Sequence, residues 1–268
     1  MRWGEVMDRS IEKRLSELRK AGETADKLME GRVLVLQKEK GYRFSIDAIL
    51  LAHFVQLEGH DYACDLGTGS AVIPIVLSKR HDRVTIAGVE IQDDLADMAM
   101  RNVRLNDLEH SIRIYKGDIK KIGNIFNKES FRCVFFNPPY RKVNSGRINP
   151  DREKAVARHE IESTVADFLS AARYLLSEGG SVNIIYPATR SVELIFGMRK
   201  MTLEPKRIRM VHSNSSSRAQ FVLAEGIKGG GEELLIMPPL YIYNDDGTYS
   251  VEMEEVFREI NHSRSFYG

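Results

Sequence analysis

The residues best suited to chemistry stand at the end of the stretch VFFNPPY, in the order Asn137, Pro138, Pro139 and Tyr140. The apolar residues before them are typical of a buried strand, and two prolines end such a strand because neither has the N–H that pairing needs. An amide, two rigid residues and an aromatic ring therefore lie together at the carboxyl end of a strand. A simple strand-terminating turn is the structural alternative.

A planar exocyclic amine is a substrate that these groups can activate. Its lone pair is delocalised into the ring, so the amine is a poor nucleophile until its geometry becomes tetrahedral. The side-chain carbonyl of Asn137 and the backbone carbonyl of Pro138 can each accept one amine hydrogen, and the prolines fix both acceptors in advance. The ring of Tyr140 offers a stacking face for the flat target.

A glycine turn, DLGTGS, precedes this tetrapeptide and runs from Asp65 through Gly67, Thr68 and Gly69 to Ser70. It follows a strand-like run and precedes a helical pattern, which is where open α/β sheets bind nucleotides. Strand-to-helix packing alone is the alternative reading of such a turn. An acid before the glycines would repel a pyrophosphate, but it can hold an α-ammonium group directly or through water.

Two further positions favour a ribose-containing ligand without a pyrophosphate. Glu90 ends the next strand, 21 residues after Gly69, where a carboxylate can accept hydrogen bonds from both ribose hydroxyls. The third glycine of the dinucleotide fingerprint is replaced by Val72, which argues against NAD. S-adenosylmethionine is the common ligand of this description, so we expect it as the cofactor.

The adenine of that ligand has candidate neighbours on two strands. Asp118, in KGDI, ends the third strand and can accept from the adenine amine, while Ile91 can lie against the adenine face. Ile119, which follows Asp118, and Asn137, at the end of the next strand, are included in the predicted cofactor site. An N-cap of the next helix is the alternative role for Asp118, and the two roles are compatible.

Apolar runs alternate with helical patterns from about residue 60 onward, which is typical of βαβ units. Strands are predicted at 61–66, 84–90, 112–116, 132–136, 181–186, 207–212 and 219–226. Helices are predicted at 8–20, 71–80, 93–108, 163–178 and 251–260, with Asp93 as an N-cap, and Asp246-Gly247 predicts a hairpin. The expected fold is a doubly wound, mostly parallel seven-stranded sheet with an antiparallel C-terminal hairpin.

Composition limits the classes of function only weakly. Lys and Arg number 39 against 38 Asp and Glu, so global charge favours no partner. The two cysteines, Cys64 and Cys133, lie in apolar runs and are predicted to be buried free thiols of a reducing compartment. No signal peptide, membrane span or metal-ligand spacing is found, so we expect a cytoplasmic protein without a catalytic metal.

The glycine turn, Glu90, the GD pair and NPPY together resemble the amino-methyltransferases that use S-adenosylmethionine. Three stretches are similar to the bacterial tRNA(Val) adenine-N(6) methyltransferase family: GYRFSIDAILLAHF, RINPDREKAVARHE and FVLAEGIKGGG. The resemblance covers roughly residues 30 to 260. It implies a Rossmann-like class I methyltransferase domain over 31–268. Residues 1–30 lie outside the resemblance and are predicted from their helical spacing to be an N-terminal helical extension.

The first of these stretches lies over the methionine end of the cofactor in that family. By resemblance, Arg43, Phe44, Ser45 and Asp47 are therefore candidate cofactor neighbours. The family modifies the adenine beside the anticodon, so the implied partner is a tRNA. A monomer is assumed.

A basic segment after the tetrapeptide agrees with an RNA substrate. Between 141 and 159 six basic residues stand against two acidic ones, in a chain whose net charge is +1. A mobile loop could close over phosphates there, although basic surface loops often have no such role. The six are Arg141, Lys142, Arg147, Arg152, Lys154 and Arg158.

The leading hypothesis is methyl transfer from S-adenosylmethionine to the exocyclic amine of an adenine in the tRNA anticodon loop. The same chemistry on a glutamine of a release factor, or on an rRNA base, is the nearest alternative, since a carboxamide is also a planar amine. A cofactor-binding RNA chaperone without turnover is an alternative of another class, and a dehydrogenase is disfavoured by Val72.

Overall fold

The computed structural model describes residues 9–40, 43–140 and 163–262. The strands are β1 Glu23–Leu28, β2 Val33–Lys38, β3 Tyr62–Leu66, β4 Thr85–Glu90, β5 Ile112–Lys116, β6 Phe131–Phe136, β7 Leu176–Pro187, β8 Leu203–His212, β9 Ala219–Lys228, β10 Leu235–Ile236 and β11 Leu240–Tyr241. The helices are α1 Arg9–Leu18, α2 Ile46–Phe54, α3 Val72–Arg80, α4 Asp93–Leu105, α5 Val165–Leu175, α6 Ser191–Lys200 and α7 Val251–His262.

Within this part of the chain, β3 to β11 form one sheet of nine strands, in the order β10-β8-β9-β7-β6-β3-β4-β5 with β11 also paired to β8. All seven predicted strands are present, but the predicted number of strands is too low. The two additional strands, β10 and β11, have two residues each and pair in parallel with β8. Runs that short have no readable alternation of apolar and polar residues.

The predicted mixture of parallel and antiparallel pairing is confirmed. β3, β4, β5, β6 and β7 pair in parallel, whereas β9 is antiparallel to both β7 and β8. The β8–β9 pair is the antiparallel hairpin near the C-terminus.

The centre of the sheet brings the two predicted motifs together. β3 and β6 are neighbours, with Asp65 in register with Phe135. Because the carboxyl ends of parallel strands meet at one edge, the glycine turn after β3 and Asn137 after β6 emerge side by side. β4 pairs with β3 on its other side, so Glu90 ends at the same edge.

Apolar side chains cover both faces of the sheet, as a doubly wound fold requires. On one face α2, α3 and α7 share a core cluster that includes Leu51, Ile75 and Met253. On the other face α5 and α6 share a cluster that includes Phe168 and Leu194. The strands between them are buried from both sides, which explains their continuous apolar sequences.

Helix α4 binds the edge of β2 through two buried asparagines one helical turn apart. Asn102 accepts from the N–H of Leu36 at 2.7 Å and donates to its carbonyl oxygen at 3.1 Å. Asn106 does the same with Leu34, at 3.0 Å and 2.7 Å. The side chains thus replace a neighbouring strand, and both are 6% exposed or less.

The amphipathic helix predicted near the N-terminus is present as α1, and its apolar face packs against the chain. Ile11, Leu15 and Leu18 contact a cluster that contains Met98 and Leu105. Strand β1 follows and pairs antiparallel with β2, so this pairing crosses the predicted boundary at residue 30. The division into an extension and a domain stays a prediction.

The structure differs from three local predictions. Gln92, not Asp93, is the N-cap of α4; Asp93 is the first helical residue and pairs with Lys116 at 2.7 Å. Helix α5 ends at Leu175, because Leu176 already pairs with Phe131 as part of β7. The Asp246-Gly247 turn closes a single antiparallel bridge between flanking tyrosines rather than a full hairpin.

Cys64 and Cys133 are buried free thiols, as predicted. Burial raises the pKa of the Cys133 thiol to about 12. None of the described helices has the length and apolar character that crossing a membrane would require. Within the described ranges, His, Cys, Asp and Glu side chains do not gather in groups suited to holding a metal ion.

Candidate active site

A cavity of about 670 Å³ opens at the carboxyl ends of β3, β4, β5 and β6. Its size suits a small-molecule ligand. Most of the predicted site residues line it: Arg43, Ser45, Asp47, Gly67, Gly69, Glu90, Ile91, Asp118, Ile119, Asn137, Pro138, Pro139 and Tyr140. Residues widely separated in sequence are therefore brought to one wall.

The glycine turn adopts a backbone that other residues rarely take. Gly67 and Gly69 have φ of 71° and 56°, in the left-handed region. A Cβ on Gly67 would also lie 3.3 Å from the ring of Phe168. The backbone of the turn therefore favours glycine at both positions, and both glycines line the cavity.

Glu90 is held at the base of the cavity by two backbone groups. Its Oε2 accepts from the N–H of Gly69 at 2.9 Å, and its Oε1 accepts from the N–H of Gln92 at 2.9 Å. Burial raises the pKa of this carboxyl, although the same hydrogen bonds oppose the rise. The carboxylate keeps further lone pairs for the hydroxyls of a ribose.

Asp65 is the first residue of the glycine turn, and it is only 1% exposed. Burial raises its pKa to about 7, although the nearby Thr68 hydroxyl opposes the rise. Its Oδ2 has no hydrogen-bond partner among the described residues. A buried carboxylate oxygen without a partner fits a cationic group of a ligand, reached through water.

Asp118 serves as the N-cap of a short 3-10 helix, Ile119–Asn124, and accepts from the N–H of Lys120 at 2.9 Å. The capping role that the sequence left open is thus present. Asp118 also lines the cavity, so its carboxylate stays a candidate partner for the adenine amine.

Four predicted cofactor residues do not reach the cavity wall. Phe44 packs against the core and donates its N–H to Gln37, while Ser70 is buried with its carbonyl accepting from Asn102. Asp65 and Thr68 belong to the glycine turn, but they are buried, at 1% and 7% exposed. Their roles toward the cofactor stay predictions, since contact would be indirect.

The Asn137 to Tyr140 turn lines the same cavity beside the glycine turn. Pro138 is buried, Pro139 is exposed, and Asn137 and Tyr140 are half-buried. The Tyr140 hydroxyl lies 2.5 Å from Asn137 Oδ1 and 2.9 Å from Asp47 Oδ2. Its ring packs near Tyr186 and Phe221, with centroid distances of 6.3 Å and 5.8 Å.

Sequence reasoning missed several residues of the wall. Phe168, on α5, closes the cavity beside Gly67, and Leu95, on α4, adds an apolar surface. Val89, Gln92 and Ser163 also line it. Val89, Leu95 and Phe168 are ordinary apolar residues of a strand or a helix whose types carry no chemical signal, so only the fold places them here.

Arg190 is a further residue that the sequence did not single out. Its guanidinium donates to the carbonyl oxygen of Tyr140 at 3.4 Å and lies 4.7 Å from the ring centroid of Tyr186. Glu193 pairs with it at 2.7 Å. Arg190 therefore supports the end of the Asn137 to Tyr140 turn.

The six basic residues predicted to contact RNA, from Arg141 to Arg158, lie outside the described residues.

The residues present fit S-adenosylmethionine. Glu90 and Asp118 provide carboxylate acceptors along the cavity, the type of group that ribose hydroxyls and an adenine amine bind. Ile91 and Ile119 offer apolar faces for the purine. A partnerless buried carboxylate oxygen at Asp65 suits the α-ammonium end.

Comparison with known proteins identifies the family. A model described as the methyltransferase small domain matches residues 45–206. A tRNA1(Val) (adenine(37)-N6)-methyltransferase of Actinobacillus succinogenes is 30% identical, over 80% of this chain and 87% of the relative. The protein of the same name from Photobacterium profundum is 26% identical, over 82% of this chain and 91% of that relative.

A solved structure from Agrobacterium tumefaciens, described as a predicted O-methyltransferase, has a TM-score of 0.65 at 19% identity, over 80% of this chain and 96% of that one. This likeness confirms the predicted Rossmann-like class I fold. The family match confirms S-adenosylmethionine as the methyl donor. The chain therefore belongs to the methyltransferase small domain family, within the group of the tRNA1(Val) (adenine(37)-N6)-methyltransferases.

Proposed function

We propose that this protein methylates the exocyclic N6 amine of adenine 37, beside the anticodon, in a tRNA(Val)-like substrate. The observation that carries the proposal is the position of Asn137 and Pro138 on the wall of the cavity that Gly69 and Glu90 also line. The relatives named for this activity support it over most of the chain's length.

The chain's own side chains define how the methyl donor is held. Glu90 would accept from the ribose hydroxyls and Asp118 from the adenine amine, while Ile91 and Ile119 would contact the purine. Asp65 would balance the α-ammonium group through water, and Arg43 would lie at the methionine end. When bound, S-adenosylmethionine supplies an electrophilic methyl group on a sulfonium.

The acceptor amine is oriented by two carbonyl oxygens. Asn137 Oδ1 and the Pro138 carbonyl each accept one amine hydrogen, which directs the nitrogen lone pair away from the ring plane. Because Pro138 is buried and its φ is fixed, this acceptor is in place before substrate binds. Tyr140 provides the stacking face for the adenine.

An unpaired loop base is the form of adenine that this site can admit, because a base in a duplex would first have to be flipped out. The six basic residues between Arg141 and Arg158 are proposed to contact anticodon-loop phosphates. Binding that depends on phosphate contacts should weaken as salt concentration rises. We place the reaction in the cytoplasm, carried out by a monomer.

Transfer of a labelled methyl group tests the proposal. The purified protein is incubated with labelled S-adenosylmethionine and either tRNA(Val) transcript, the same transcript with guanine at position 37, or release factor. Label in the first transcript alone supports the proposal. Label in release factor would favour the glutamine alternative, and label in neither would favour a chaperone without turnover.

A further inference from the structure

The carboxylate of Asp47, which the resemblance makes a candidate cofactor neighbour, faces the active site from α2 and also contacts Tyr140. The residue is 5% exposed and lines the cavity. Its Oδ2 accepts from the hydroxyl of Tyr140 at 2.9 Å, across 93 residues of sequence. The first turn of α2 is thereby connected to the turn that carries the proposed amine acceptor.

The orientation of Asp47 is fixed by its other oxygen. Oδ1 accepts from the N–H of Ala48 at 2.9 Å and from the hydroxyl of Ser45. An ionised carboxylate accepts and does not donate, so Oδ2 is held toward Tyr140 as an acceptor only.

The hydroxyl of Tyr140 has one proton, and two acceptors among the described residues lie within its reach. Asn137 Oδ1 lies at 2.5 Å and Asp47 Oδ2 at 2.9 Å. When the proton points at Asn137, it takes one of the two lone pairs of the amide oxygen and weakens that oxygen as an acceptor. The proposed function needs the same oxygen for the adenine amine, so the two hydrogens compete.

We infer that Asp47 is a positioning residue that takes the Tyr140 hydroxyl proton when the substrate amine binds, leaving Asn137 Oδ1 to the amine. This inference rests on the proposed role of Asn137. The charge of Asp47 makes it a strong acceptor, which offsets the loss of the shorter hydrogen bond to Asn137. The Tyr140 ring keeps its place throughout, because its hydroxyl stays bonded at either acceptor.

The Asp47→Asn variant separates this role from simple packing. Its amide oxygen can keep the N–H of Ala48, while its NH₂ group faces Tyr140 as a donor. The Tyr140 hydroxyl then continues to donate its hydrogen bond to Asn137 Oδ1. We expect kcat to fall by roughly tenfold or more, because the hydrogen bond from the substrate amine to Asn137 Oδ1 is lost in the reacting complex. The KM for S-adenosylmethionine should stay within about twofold of wild type.

A second substitution provides the decisive comparison. Tyr140→Phe removes the proton altogether, so the double variant should recover the kcat of Tyr140→Phe alone. Asp82→Asn, at an exposed carboxylate, is the matched control and should behave as wild type. Full activity of Asp47→Asn, or a double variant no better than Asp47→Asn, overturns the inference.

An NMR measurement that needs no turnover separates the inference about Asp47 from the proposed function. In protein labelled at the tyrosine ¹³Cζ, the Tyr140 resonance is assigned by its loss in Tyr140→Phe. We expect Asp47→Asn to move this resonance, because the Tyr140 hydroxyl has two acceptors among the described residues in wild type and only Asn137 Oδ1 of these in the variant. An unmoved resonance overturns the inference. Wild type that methylates no tRNA would refute the proposed function, while the resonance still decides the contact.

Discussion

Glu90 Oε2 accepts a hydrogen bond from the backbone N–H of Gly69 at 2.9 Å. The acid at the end of β4 therefore contacts the turn after β3, although the two residues are 21 positions apart in sequence. The contact sets the position of the carboxylate before a ligand binds. It also makes the cofactor site a property of two neighbouring strands rather than of the glycine turn alone.

Replacing Glu90 by Gln should weaken donor binding. The variant amide has one acceptor oxygen for the two N–H groups that Glu90 now satisfies, so its NH₂ group would face either Gly69 or Gln92. We expect the Kd of S-adenosylhomocysteine, measured by calorimetry, to rise by roughly tenfold or more, the value of one hydrogen bond to a charged group. Glu255→Gln, on an exposed face of α7, is the control; equal affinity in both variants would contradict the assignment.

Replacing Asn137 by Ala should remove turnover while preserving donor binding. The amide oxygen acts on the amine mainly in the transition state, and loss of one such group commonly costs about 10²–10³ in kcat. The Kd of S-adenosylhomocysteine should stay within about threefold of wild type, because Glu90 and Asp118 remain in place as the proposed partners of the donor. The measurements are single-turnover methyl transfer to tRNA and calorimetry.

Asn127→Ala, at an exposed loop position, is the matched control for that variant. A parallel loss of turnover and donor affinity in Asn137→Ala would show instead that the residue supports the cavity wall.

Donor affinity should increase with pH across neutrality. The pKa of Asp65 is raised from 3.8 to about 7, so the folded protein without ligand retains a proton that the unfolded chain releases. This carboxyl therefore stabilises the fold most at low pH, and that stabilisation is lost as pH rises through about 7. A bound α-ammonium favours the ionised form, so binding releases the proton.

The Kd of S-adenosylhomocysteine should accordingly fall about tenfold between about pH 6 and about pH 8. Glu90 also has a raised pKa, so the Asp65→Asn variant isolates the contribution of Asp65. We expect a clearly shallower pH dependence in that variant. An identical slope in both proteins would show that Asp65 does not respond to the donor.

Replacing Asn102 by Ala should destabilise the fold. The variant leaves the N–H and carbonyl of Leu36 and the carbonyl of Ser70 without their side-chain partner, in a site that is 0% exposed. We expect the free energy of unfolding in urea to fall by about 2–4 kcal/mol, given the cost of unpaired buried polar groups. Asn124→Ala, at an exposed position, is the comparison; a loss below about 0.5 kcal/mol in Asn102→Ala would mean that water replaces the amide.

The central sheet and the main site residues follow from sequence because their signals are local. A glycine pair, a strand-ending acid and a strand followed by two prolines each fix a backbone conformation within a few residues. The parallel order of β3 and β6 then brings Gly69 and Asn137 to one edge, as a doubly wound sheet requires.

Other features depend on contacts that no local pattern encodes. Asn102 and Asn106 look like ordinary polar helix residues, and their pairing with β2 appears only when the two elements pack. The approach of Asp47 to Tyr140 likewise needs α2 to lie beside the end of β6. The buried state of Asp65, and hence its raised pKa, also depends on how tightly the neighbouring strands enclose it.

The most direct test of the account is the identity of the modified nucleoside. tRNA(Val) transcript treated with the protein and isotopically labelled S-adenosylmethionine is digested to nucleosides and analysed by mass spectrometry, with position 37 located in an oligonucleotide digest. The account predicts N6-methyladenosine at position 37, absent when Asn137→Ala replaces wild type. Labelled methyl on another atom or nucleoside, or none in the tRNA, would contradict it.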